Sequence, residues 1–396
     1  MVLTNVLLRS EATKNLLTLL IVITGLVLGA CAPATPPGSP APIPEPTPTS
    51  WPRVRLKSPE YAVQAFLWWK PEITRRDLTL IQEMGFTWIK QQFAWRDIEG
   101  AGKGHFEWNR ADDIVRRANN RKLRLLVRID RQPIWAQAAG SEPLENAPPA
   151  NLQDFADFCY ALADRYRGKI AAYQVWNEPN LAREWGNQHP DPKGYVELLK
   201  TCYVAIKRAD PNALVVSAGM APTGTWTDEV MPDDMFIEQM YQAGAAPYFD
   251  ILGVHAPGFK APPEASPDEV AASPDLGGQR FFCFRHVEDL RALMVKYGDA
   301  GKQVAVLEMG WTTDRLHSEY AWHAVDEQTQ ADYLVRAFKF AKESWSPWIS
   351  LMTVIAFADP FWTEDDEQYW WTIVYPDWPE IRVKPAYEAL KNMPKQ

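Results

Sequence analysis

Eight times between Trp51 and the C-terminus, a short apolar stretch suited to a β-strand is followed by a stretch with helical patterning. The strand candidates are Tyr61–Trp69, Phe86–Trp95, Leu123–Asp130, Ala171–Asn177, Ala213–Met220, Asp250–His255, Gln303–Trp311 and Ile349–Asp359. The helix candidates are Ile73–Met84, Trp108–Lys122, Asn151–Gly168, Pro192–Arg208, Asp234–Ala243, Phe284–Tyr297, Thr329–Glu343 and Lys384–Met393. Strands separated by helices cannot pair as hairpins. They line up in parallel, and eight such units close into an α/β fold of the (β/α)8 TIM barrel type. A barrel of this kind needs about 250 residues, so residues 53–396 are expected to form a single domain with room for long loops. The longest connections, 131–150, 221–233, 256–282 and 360–383, all follow strands. In this architecture such loops line the functional face. They carry Trp135, Trp226, Trp362, Trp370 and Trp371.

The first 52 residues do not share this pattern. Arg9 and Lys14 precede an apolar run from Leu16 to Ala30, which is shorter than the roughly 20 residues of a membrane span. Residues 1–30 read as a signal peptide. The run ends in Leu28-Gly29-Ala30-Cys31, which resembles a bacterial lipobox. That resemblance implies lipidation of Cys31 and an extracytoplasmic domain whose only membrane contact is its N-terminal lipid. An ordinary signal peptide cut near Ala30, or an uncleaved anchor, are the competing readings. Residues 31–52 are dense in proline, which favours an extended, semi-rigid tether. The domain is expected to be monomeric.

Composition excludes several classes. The formal charge is −9, and it becomes −10 once Arg9, Glu11 and Lys14 are removed with the signal peptide. A basic footprint for nucleic acid is absent. No Cys-rich or His-rich spacing suggests a metal, and no cofactor is expected. Cys159, Cys202 and Cys283 fall on or beside helix candidates. Buried free thiols are the expectation, because helical cysteines pack as small apolar groups. A bridge between Cys159 and Cys202, on neighbouring helices, is the alternative in an oxidising compartment. The chain also has 18 Trp, more than a core requires, and indole faces suit the apolar C–H surfaces of sugar rings.

Two strand ends carry the chemistry. The fourth strand runs into Trp176-Asn177-Glu178-Pro179-Asn180, and the seventh into Glu308-Met309-Gly310-Trp311. A carboxylate at the C-terminal end of a barrel strand faces the mouth. Two of them on separate strands can flank one bond. Glycosidic cleavage needs such a pair: one acid protonates the leaving oxygen, and one carboxylate meets the oxocarbenium-like carbon. Proximity drives their pKa values apart, so one is protonated while the other is ionised.

The WNEPN string at strand four, with a strand-terminal Glu 130 residues later, resembles glycoside hydrolase clan A, especially families 39 and 5. The likeness spans roughly Tyr61 to Pro385. Phe93–Asn109 (FAWRDIEGAGKGHFEWN), Ile134-Trp135-Ala136 and EMGW also fit. The resemblance implies a retaining O-glycoside hydrolase of β-linked poly- or oligosaccharides, with Glu178 as acid/base and Glu308 as nucleophile. It further implies that Asn177 binds the sugar 2-hydroxyl and that His255 lies in the substrate pocket. Lys90 stands where relatives often carry Arg, an exchange of a planar fork for a point charge. The clan's Tyr two residues after the strand-six His is replaced by Pro257. Its sugar-stacking Trp at the end of strand eight is missing, and Trp362 comes only afterwards. Trp95, Asp130, Trp185, Trp311 and Trp362 complete the expected substrate contacts. Two other functions use the same frame: a catalytically weak barrel that binds sugar at the cell surface, and a transglycosylase that remodels envelope glycans.

Overall fold

The computed structural model describes residues 51, 54–140 and 142–395. The expected signal peptide, Cys31 and the Pro-rich segment up to residue 50 lie outside the described residues. Eight parallel strands close into one barrel in sequence order. They are β1 (Glu60–Gln64), β2 (Trp88–Gln92), β3 (Arg124–Ile129), β4 (Ala172–Val175), β5 (Leu214–Ser217), β6 (Ile251–His255), β7 (Gln303–Met309) and β8 (Ile349–Val354). One principal helix follows each strand: α1 (Pro71–Glu83), α2 (Asn109–Asn120), α3 (Leu152–Arg165), α4 (Pro192–Ala209), α5 (Asp233–Gln242), α6 (Val287–Lys296), α7 (Glu327–Trp345) and α8 (Pro385–Asn392). This is the expected (β/α)8 barrel. Among the described residues no helix is long and apolar enough to cross a membrane.

Two packed layers hold the fold. Between strands and helices lies a continuous apolar shell that includes Ile81, Ile89, Phe158, Leu199, Leu334 and Tyr387. Inside the barrel Ala62, Trp88, Leu126, Ala172, Leu214, Ile251, Leu307 and Leu351 form a separate apolar plug. Above this plug the inward positions become polar, and that change of composition marks the catalytic face.

Helix starts follow local chemistry. Asn151 and Asp191 cap α3 and α4 by accepting from Gln153 N and Gly194 N, and Asp326 caps α7 through Thr329 N. Pro occupies the first turn of α1, α4 and α8, where its missing N–H is not needed. The N-terminal segment is tied to the opposite pole from the loops. Leu56 N donates to Gln303 Oε1 at 2.9 Å and Gln303 Nε2 donates back to Leu56 O at 3.1 Å, at the first residue of β7.

The cysteines correct the sequence expectation. Cys159 on α3 and Cys202 on α4 form a disulfide, with Cα atoms 5.6 Å apart. Both face the seam between the two helices, so their apolar packing brings the sulfurs together. Cys283 is free and buried, and its Sγ donates to Arg280 O at 3.3 Å.

Candidate active site

The site is built where β4, β6 and β7 end. After Val175 the chain turns through Trp176 (φ 73°) and Glu178 (φ 45°), both in the left-handed region. Non-glycine residues adopt this region at a cost and persist there only when their surroundings fix them. Here Trp176 N donates to Ile129 O at 2.9 Å, Glu178 N to Gly219 O at 3.0 Å, and Trp176 Nε1 to Glu184 O at 2.8 Å. The turn lifts the Glu178 side chain into the mouth.

On the opposite side, β7 delivers Glu308. The pairing of β6 with β7 slips after Val254, so His255 comes into register with Glu308. His255 is buried, and its Nδ1 lies 3.0 Å from Glu178 Oε1 and 3.8 Å from Glu308 Oε2. The ring fits because position 219 is glycine: a Cβ there would lie 2.2 Å from His255 Cδ2. A Glu178 oxygen, a Glu308 oxygen and a His255 nitrogen all lie within 4.8 Å of one another.

Lys90 rises from β2 on the inward face, 1% exposed, and donates from Nζ to Glu308 Oε1 at 2.7 Å and to Leu307 O at 3.2 Å. Burial alone would push the Glu308 carboxyl up. The charges of His255, Lys90 and Arg128 outweigh it and hold the group well below the usual carboxylate range. Burial pulls the Lys90 ammonium below its usual range, and Glu308 partly offsets this. Glu308 is therefore set up to stay ionised. Glu178 has a different setting: His255 on one oxygen and, 3.7 Å from the other, the mobile-stemmed and largely exposed Arg183.

Asn177 is buried beside Glu178, and its Oδ1 accepts from Gln174 Nε2 at 3.1 Å. Asp130 directly follows β3, buried, accepting from Gln92 Nε2 at 2.7 Å and lying 3.0 Å from Arg128 Nε. The trio of Glu178, His255 and Glu308 is also the group whose donor atoms converge closely enough to approach a cation. Lys90 already supplies positive charge to Glu308 at that point.

Four expected substrate contacts are placed differently. Lys90 is buried, and two of its three N–H donors go to Glu308 Oε1 and Leu307 O, so its first task is to hold the carboxylate. Trp95 and Trp311 are fully buried; their indole N–H groups donate to Glu99 Oε2 at 2.6 Å and to Ala261 O at 2.9 Å. Trp185 packs edge-on against Trp176 and Tyr195. These three rings fill the space beneath the loops, so apolar packing has taken the faces that a sugar would need. Trp362 is half-buried against Phe66 on the β8 loop, beside exposed Trp69 and Phe361.

Three charged residues near the pair were not singled out from sequence. Arg128 interrupts the apolar run Leu123–Ile129, and a charge at an inward strand position is a readable signal. Glu184, anchored through Oε2 by Asn146 Nδ2 at 2.9 Å, and Glu367, which accepts from Trp371 Nε1 at 2.6 Å, lie on loops and gave none. Burial raises both carboxyls, and the charge of Glu178 adds to the shift.

The family model described as cellulase (glycosyl hydrolase family 5) matches residues 45–243, just over half of the chain. The chain belongs to glycosyl hydrolase family 5. Solved structures agree on the fold of this family 5 chain. A family 39 glycoside hydrolase from the gut symbiont Bacteroides cellulosilyticus WH2 superposes with a TM-score of 0.61 at 18% identity, covering 84% of this chain and 63% of that one. The GH39 enzyme from Xanthomonas axonopodis pv. citri gives 0.61 at 16%, covering 86% and 67%. GH5_18 from Streptomyces cattleya, in complex with GlcNAc, gives 0.61 at 16%, covering 85% and 80%. The family 5 chain thus spans less than two thirds of the first of these structures. No curated protein matches it.

Proposed function

We propose that this family 5 chain is a retaining O-glycoside hydrolase of β-linked poly- or oligosaccharides. The observation that carries the reading is the convergence of Glu178 and Glu308 within 4.8 Å of a shared imidazole, with Lys90 bonded to Glu308 alone. Retention requires carboxyl groups about 5–5.5 Å apart, and inversion about 6.5–9.5 Å. The observed closeness supports the first. Glu308, held as an anion, attacks the anomeric carbon and forms a glycosyl ester. Glu178 gives its proton to the leaving oxygen, then takes one from the incoming water, and the ester is released with the starting configuration. Asn177, fixed by Gln174, is positioned to hold the 2-hydroxyl of the reacting sugar.

Proton NMR of the first-formed sugar tests this. A β-anomer from a β-substrate is expected, and an initial α-anomer removes Glu308 as nucleophile. Glu178→Ala is expected to spare the first step for substrates with good leaving groups, which need little protonation, and added azide should then give a β-glycosyl azide.

The proposal extends to location: a lipid on Cys31 and an extracytoplasmic domain. The Cys159–Cys202 bridge supports it, since such bonds persist in oxidising compartments.

A further inference from the structure

Arg128 is unlike the other cations of the site. It lies on β3 two residues beyond Leu126, which belongs to the apolar plug, so strand periodicity turns it inward as well. It stands in register with Gln92 on β2 and Gln174 on β4. The plug closes the barrel beneath it. Its side chain is 14% exposed. Nε lies 3.0 Å from Asp130 Oδ2, an ion pair without hydrogen-bond alignment, and Asp130 is itself held by Gln92. Among the described residues no acceptor meets Nη1 or Nη2. The result is a planar fork that faces Asp130 through charge alone, keeps its N–H donors unspent, and lies within electrostatic reach of Glu308.

We propose that Arg128 is the residue that positions the sugar reacting with Glu308, donating its free N–H groups to two neighbouring hydroxyl oxygens of the ring. This rests on the glycosidase reading. A pair of neighbouring ring hydroxyls offers two oxygens to these donors without adding charge to a site that already sets Asp130, Glu308 and Glu184 against Arg128, Lys90 and Arg131.

The test is a binding cycle that does not need turnover. Glu308→Gln, alone and combined with Arg128→Met, is titrated calorimetrically with the 4-nitrophenyl β-glycosides of glucose, mannose, xylose and glucuronic acid. The monodeoxy forms of the tightest neutral sugar follow. Arg128→Met is expected to weaken the best neutral ligand about tenfold or more, as loss of charged hydrogen bonds requires. Deleting one particular ring hydroxyl should cost a similar factor with Arg128 present and nothing further without it. Arg128→Lys, a charge without a fork, should not restore binding. Additive losses at every hydroxyl, or no binding of any sugar, would overturn the proposal. Arg128→Gln, with folding checked by circular dichroism, replaces the Met variant if that one does not fold. Turnover by the unmodified enzyme is read separately: binding with the expected cycle but no hydrolysis counts against the hydrolase reading and leaves Arg128 assigned.

Discussion

Lys90→Met removes the cation that hydrogen-bonds Glu308, one of the three groups, with His255 and Arg128, that keep it ionised. The ammonium is buried and 2.7 Å from Oε1. A hydrogen bond to a charged group contributes about 1.5–3 kcal/mol. At about 1.4 kcal/mol per pH unit, losing it should raise the Glu308 carboxyl by about 1 to 2 units. The sign follows from the folded state. A carboxyl depressed on folding adds stability above its unfolded pKa, and that contribution is lost as pH falls through the lower folded value. The same ionisation sets the acid limb of kcat/KM, because the protonated carboxyl cannot attack. The limb should therefore begin at low pH in the native enzyme and move up by about 1 to 2 units in Lys90→Met. Lys90→Arg keeps a cation and should keep most of the native limb. The assay is kcat/KM for an aryl β-glycoside across pH, with circular dichroism at each point. An unmoved acid limb in a folded Lys90→Met would refute the reasoning, because Lys90 would then not control the charge of Glu308.

Gly219→Ala pushes a methyl group to 2.2 Å from the His255 ring, so the imidazole must leave its place between the carboxylates. A displacement of that order can cost about 10²-fold in kcat; an unchanged kcat in a folded variant would show that the ring position is unimportant. Replacing Cys159 and Cys202 by Ser opens a cross-link with a sequence separation of 43 residues. The chain-entropy relation gives a loss of about 4 kcal/mol in unfolding free energy, measured by denaturant titration, and no loss would mean the bond is not formed. Thiol counting in the denatured, unreduced domain should find Cys283 alone among its three cysteines. Mass spectrometry of the mature N-terminus from the native host should find a lipid on Cys31, and an unmodified start there would remove the anchor.

The barrel was legible because parallel strands covered on both faces leave near-continuous apolar runs, and eight of them alternate with amphipathic helices. Their ends were less legible. The first candidate ran to Trp69 whereas β1 stops at Gln64, since aromatic loop residues look like strand residues until their packing is known. Glu178 and Glu308 stood out because each ends a strand. The tryptophans could not be sorted, because whether an indole faces sugar or core depends on loops that meet only in three dimensions. Trp95 and Trp311 went to the core; Trp362 kept partial exposure. Lys90 and Arg128 share an inward alternation with Trp88 and Leu126, so strand periodicity separates barrel floor from outer shell once the plug is known. Nothing in sequence brings Glu184 to Asn146, 38 positions earlier, because that meeting joins two irregular loops.

The paired hydrogen bonds between Leu56 and Gln303 fix the incoming chain at the pole without chemistry. The described chain therefore enters the barrel at the end away from its rim. For the same reason a fusion partner or an immobilising support joined at the amino-terminal side leaves the rim unobstructed, whereas one inserted into the long connections after the strands would sit across it.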